Sequence, residues 1–70
     1  MKNMITQTFD CWYCDDMLQV LYEYAENVKG YFVCPFCGAS DYIVHGVPVS
    51  VTDIISGKAI TITDAITMPC

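Results

Sequence analysis

Seventy residues bound this chain to a single domain, and a content of 54% hydrophobic and 13% aromatic residues excludes disorder over most of its length. Eight acids against three lysines and no arginine leave a formal charge of −5, which lacks the clustered cations that phosphate binding requires. No apolar run approaches the roughly 18–20 residues of a membrane span.

Met1–Gln7 is a polar lead with one lysine and without the apolar stretch of a signal peptide. Thr8-Phe9-Asp10 reads as a short strand entering the first cysteine pair, Cys11-Trp12-Tyr13-Cys14. The segment Asp15–Val28 reads two ways. As a strand, Leu18, Val20, Tyr22 and Tyr24 alternate; as a helix, Leu18, Leu21, Tyr22, Ala25 and Val28 share a face behind the N-terminal acids Asp15 and Asp16. A hairpin that brings two cysteine pairs to one point favours the strand. Lys29-Gly30 is the expected turn region before a strand at Tyr31–Val33. The second pair follows as Cys34-Pro35-Phe36-Cys37, then Gly38, where positive φ is expected; Asp15 holds the corresponding place after the first pair. Tyr42-Ile43-Val44 is another strand.

Beyond Gly46-Val47-Pro48 the composition changes. Val49–Ile55 and Ala59–Thr63 are β-branched and alternate, with Ser56-Gly57-Lys58 between them, the pattern of a hairpin. Val51-Thr52-Asp53-Ile54 is faintly echoed by Ile62-Thr63-Asp64-Ala65, too briefly to define a repeat family. Pro69 argues against regular structure over Ile66–Cys70. The expected organisation is one domain, 1–70, with a Cys₄ module at 8–46 and a C-terminal β-hairpin extension at 47–70.

Two Cys-x-x-Cys pairs separated by nineteen residues follow the ligand grammar of a tetrahedral Cys₄ site made by Cys11, Cys14, Cys34 and Cys37. Below roughly 70–80 residues a hydrophobic core seldom contributes more than about 3–5 kcal/mol. A structural zinc contributes on the order of 10–16 kcal/mol of apparent binding free energy, so metal binding and folding are expected to be one event. Four thiolates and one divalent ion add −4 + 2 = −2 to the formal charge of −5, for about −7 in the metal form. Five cysteines are an odd number, and a disulfide-only scheme leaves one unpaired. With no export signal, a reducing cytoplasm is the expected compartment, and it favours metal over disulfides.

Cys34-Pro35-Phe36-Cys37 alone also suits a thiol redox motif, but Gly38-Ala39-Ser40-Asp41 opens no helix behind it. His45 is expected as a partly exposed strand residue, since it would be a fifth group at a complete site, and Cys70 as a free tail thiol. Phe36 is expected to wall the sulfurs. Trp12 and Tyr13, adjacent in one pair, cannot easily both pack inward, and Trp and Tyr are frequent binding anchors. With Asp15 and Asp16 they form the candidate partner surface. Tyr22, Tyr24 and Tyr31 suit sheet packing. Asp15, Asp16, Glu23 and Glu26 suit a solvated face, and no two acids are spaced as a general acid and base, so no enzyme activity is expected.

Cys11-Trp12-Tyr13-Cys14 together with Val33-Cys34-Pro35-Phe36-Cys37-Gly38 resembles the zinc-ribbon group over roughly Thr8–Gly46. That resemblance implies a Cys₄ zinc between two knuckles on a short antiparallel sheet. The departures are Asp15, where glycine is frequent, and the scarcity of basic residues. The second knuckle also resembles that of rubredoxins, which hold one iron in four thiolates for electron transfer. The expected fold is thus small, mainly β and zinc-ribbon-like with a C-terminal hairpin, the alternative having a single helix between the knuckles. The expected function is a non-catalytic, zinc-binding protein-interaction module, such as a small acidic inhibitor or adaptor of a larger machine, of the sort that phages and mobile elements encode. The alternatives are a rubredoxin-like iron protein for electron transfer and a nucleic-acid-binding ribbon. A protein partner is expected, a second copy paired along a strand edge being one form of it, and no membrane.

Overall fold

The computed structural model describes residues 3–63 and 65–69 and is built of strands: β1 (Met4–Asp10), β2 (Met17–Val33), β3 (Ser40–Asp53), β4 (Ala59–Thr61) and β5 (Ile66–Pro69). All pairings are antiparallel, in the order β1-β2-β3-β4, with β5 also on β2. There is no helix among the described residues, so the helical alternative for the inter-knuckle segment is overturned. The reason lies in the burial period. Leu18, Val20 and Tyr22 are buried in alternation, and they oppose Asp53, Val51 and Pro48 of β3. The helical reading needed Leu21, Ala25 and Val28 on the same buried face, and none of them is buried.

β2 organises the molecule. A straight strand of its 17 residues would reach about 55 Å at ~3.3 Å each, yet the longest extent of the protein is 31 Å. The β2–β3 ribbon therefore bends back on itself. Its first half pairs Leu18–Tyr24 with Asp53–Gly46, and its second half pairs Lys29–Val33 with Gly46–Ser40. Ala25, Glu26, Asn27 and Val28 have no ladder partner on β3, where only Val44 and His45 lie between the paired stretches, and the ribbon bends at this surplus. On β3 the bend falls at His45, whose φ is 65°. Its Nδ1 meets the carbonyl of Glu26 across the bend. His45 is exposed, as the sequence suggests, and belongs to the bend rather than to the cysteines.

Two glycines let the halves of the ribbon meet. A Cβ on Gly30 would fall inside the Pro48 ring and the Gly46 carbonyl oxygen; one on Gly46 would meet the Tyr22 ring, with Ile43 Cγ2 at 2.7 Å. The turn expected at Lys29-Gly30 is thus absent. β2 runs through it, and Gly30 serves close approach instead.

β1 and β5 share the edge of β2 away from β3. Met4–Asp10 lie on Glu23–Met17, and Ile66–Pro69 on Tyr31–Val28. The expectation that Pro69 keeps the tail irregular is corrected by β5. Proline is tolerated there because it ends an edge strand and its missing N–H breaks no ladder. Cys70 lies outside the described residues. β3 and β4 form the C-terminal hairpin, Ser50–Thr52 on Thr61–Ala59, and β3 passes without a break through Gly46-Val47. The core holds Leu18, Val20, Tyr22, Phe32, Ile43 and Val51 together with Cys11 and Cys34. Each fully buried aliphatic contributes roughly 1.5–3 kcal/mol, and the number of them is small.

Candidate metal centre

Each cysteine pair sits in a six-residue turn of one design. In the first, Cys11 N–H donates to Asp16 O at 2.8 Å and Asp15 N–H to Cys11 O at 3.0 Å. In the second, Cys34 N–H donates to Ala39 O at 2.9 Å and Gly38 N–H to Cys34 O at 2.9 Å. The fifth residue carries positive φ in both: Asp15 at 60° and Gly38 at 80°. The first cysteine of each turn is buried and the second is half-buried. The fold-back of the β2–β3 ribbon brings the two turns together although they lie at opposite ends of β2.

Asp15 therefore stands where the backbone prefers glycine. Asp15→Gly is expected to raise stability by roughly 0.5–1 kcal/mol, read as a higher urea midpoint of the zinc-loaded protein. An unchanged or lower midpoint would show that the Asp15 side chain has a structural task of its own.

The four sulfurs lie within 4.8 Å of one another. Cys11 Sγ is 3.5 Å from Cys37 Sγ, and Cys14 Sγ is 3.7 Å from Cys34 Sγ. A disulfide needs about 2.05 Å, and all four thiols are free. A tetrahedron of thiolates about 2.3 Å from a central ion has edges of about 3.8 Å. The cluster has the size and donor set to hold one metal ion, and zinc and iron both accept four thiolates.

The thiols are unequal. The Cys14 N–H donates to Cys11 and pulls its pKa down to about 7; burial opposes this, and the Tyr13 N–H assists it. Burial pushes Cys14 up to about 12, against the Asp16 N–H that favours its thiolate. On Cys37 the Ala39 N–H is the largest single influence and favours the thiolate. Burial and the neighbouring thiols of Cys11 and Cys34 outweigh it and leave Cys37 raised. Turn N–H groups thus aim at three of the sulfurs, which is the support a buried thiolate needs.

Phe36, expected to wall the sulfurs, is 68% exposed. The second and third residues of each turn form its outer tip, so a side chain there points away from the cluster. The aromatic packing beneath comes instead from Phe9 and Phe32, edge to face at 5.4 Å, each two residues before the first cysteine of its turn. That offset was the available signal. Trp12 and Tyr13 are exposed at the other tip, 66% and 70%, with ring centroids 5.8 Å apart. Trp12 Nε1 donates to Ser40 O at 2.8 Å, which ties the indole to the second turn. Asp15 is exposed beside them, whereas Asp16 is half-buried and faces Asp53. Of the tyrosines, Tyr22 is buried and donates to Gln7 Oε1, Tyr31 packs on Tyr42, and Tyr24 is exposed. No helix among the described residues is long and apolar enough to cross a membrane.

No protein-family model matches the chain, and no curated protein and no solved structure matches it either.

Proposed function

We propose that the chain is a non-catalytic zinc-binding module that presents a rigid aromatic tip to a protein partner. Cys11, Cys14, Cys34 and Cys37 hold one Zn²⁺, which fixes the two halves of the bent ribbon. Trp12 and Tyr13, beside the exposed Asp15, form the contact surface. The observation that carries the metal half is the sulfur spacing of 3.5 and 3.7 Å between turns from opposite ends of one strand. The partner half is supported by two large, exposed, adjacent aromatics, one already fixed by a hydrogen bond, so little rotamer entropy is lost when they are covered. An acidic chain suits a basic partner surface, and the role is that of a small inhibitor or adaptor of a larger machine in a reducing cytoplasm. A nucleic-acid role lacks a basic patch: of the described lysines, Lys29 lies 4.5 Å over the Tyr42 ring.

Native mass spectrometry of protein purified without added metal tests the first half. One zinc per chain supports it. One iron with a reversible one-electron wave would replace it with electron transfer, and a metal-free chain would overturn it. For the second half, Trp12→Ala is expected to weaken partner capture at least about tenfold while leaving zinc stoichiometry intact. Undiminished capture would move the contact surface elsewhere.

A further inference from the structure

An open strand edge carries a row of unpaired N–H and C=O groups, which proteins blunt with short strands, bulges, proline or lysine. β4 and β5 are open edges of only three and four residues. β3 is covered by β4 over Ser50–Thr52, and ahead of that its outer edge is broken by His45, at φ 65°, and by Pro48. β1 has none of these devices. Its seven residues pair with β2 without a register shift, include no proline or lysine, and are exposed except for half-buried Phe9. Among the described residues nothing pairs with its outer side.

The ladder fixes which groups point outward. Tyr24 N–H donates to Asn3 O and Cys11 N–H to Asp16 O, each at 2.8 Å. Both bonds continue the register that sets Met4 on Glu23 and Asp10 on Met17. The odd residues Ile5, Gln7 and Phe9 therefore turn their backbone groups to β2. The N–H and C=O of Met4, Thr6, Thr8 and Asp10 point away from it.

This edge is complementary to itself. A two-fold axis through Gln7 lays β1 antiparallel on the β1 of a second copy, with Thr6 opposite Thr8 and Met4 opposite Asp10 as hydrogen-bonded pairs. Ile5 then falls opposite Phe9, in a pair without hydrogen bonds, where side chains come closest. Ile5, Gln7 and Phe9 oppose Tyr22, Val20 and Leu18 of β2, so the apolar face of the sheet continues across the axis. Thr–Thr and aromatic–β-branched pairs are both favourable across strands. Asp10 is the one charged residue of β1. Its two copies would stand about 20 Å apart at ~3.4 Å per residue, well beyond the screening length of ~8 Å. An axis through Thr6 instead would set Ile5 on Gln7 and lose the apolar match.

We propose that the chain forms a weak two-fold dimer through β1, joining the sheets of two copies into one. The pairing does not rest on the aromatic tip as a contact surface.

Sedimentation equilibrium of the metal-loaded full chain tests it. One seven-residue ladder is a small interface, so the mean mass should rise from 7.8 kDa toward twice that value only as the concentration nears the millimolar range. Over the same range the amides of Thr6 and Thr8 should gain protection from exchange, while those of Gln7 and Phe9 are protected throughout. Thr6 and Thr8 are exposed, so both can be changed without touching the core. Thr6→Lys with Thr8→Lys sets lysines directly opposite each other and should weaken the dimer about tenfold. It does so although the net charge moves from −5 to −5 + 2 = −3, which eases the general repulsion between copies. Thr6→Lys with Thr8→Glu sets lysine opposite glutamate and should restore the dimer. A chain that stays monomeric would overturn the proposal and leave the edge to a strand of another protein. A dimer indifferent to both variants would overturn the assigned edge, and one weakened equally by both would overturn the register.

Discussion

Cys34→Ser should leave the chain without a cooperative thermal transition. Cys34 is buried in the core and stands 3.7 Å from Cys14, so the change strikes a sulfur that belongs to both the cluster and the packing. The metal term at stake is on the order of 10 kcal/mol, comparable to the whole net stability of about 5–15 kcal/mol of an ordinary domain. The few fully buried aliphatics here cannot replace it. Amide NMR dispersion should collapse in Cys34→Ser and, equally, in the unaltered chain treated with a strong chelator. Tyr13→Ser, at an exposed tip of the first turn, should keep its dispersion and its metal. A Cys34→Ser protein that melts like the parent would refute the metal-fold coupling.

Gly30→Ala should be strongly destabilising although it lies away from the cysteines. The added methyl meets the Pro48 ring and the Gly46 carbonyl oxygen, a ring and a backbone atom that have no rotamer to yield. Overpacking of this kind costs about 1–3 kcal/mol, more where the obstacle is backbone, and in a domain of this size the melting temperature should fall by roughly 10–20 °C. Gly57→Ala is the control. It has positive φ but open space around it, so it should lose only about 1 kcal/mol. If the two variants melted together, the ribbon would not be pressed closed at Gly30.

These effects divide along the line of what could be read from the chain. The cysteine spacing was legible because ligand geometry leaves few options for two residues at i and i+3. The strand reading of Asp15–Val28 was legible as alternation, but the same residues also fit a helical face, and only pairing on both edges decides between them. The bend was hidden. Gly30 beside Lys29 looks like a turn, and nothing local distinguishes a glycine that turns from one that admits a proline ring from another strand. The tail was misread because proline is a strand breaker only where its N–H would be used. The turn Asp53–Lys58 repeats the hydrogen bonds of the cysteine turns, Asp53 N–H to Lys58 O and Gly57 N–H to Asp53 O, yet reads in the sequence as an ordinary glycine turn. With Asp53 and Ser56 in place of cysteines, the shared hydrogen-bond pattern has no signature in residue type.

The shared edge of β2 also sets a schedule for synthesis. By the time Asp53 has left the ribosome, both cysteine turns and both halves of the ribbon are available, so the metal can be bound early. The edge over Val28–Tyr31 stays bare until Ile66–Pro69, the last of the described strands, has emerged. A nascent protein that took up its metal at that point would still carry an open strand edge, which a chaperone or another strand could occupy until β5 takes its place.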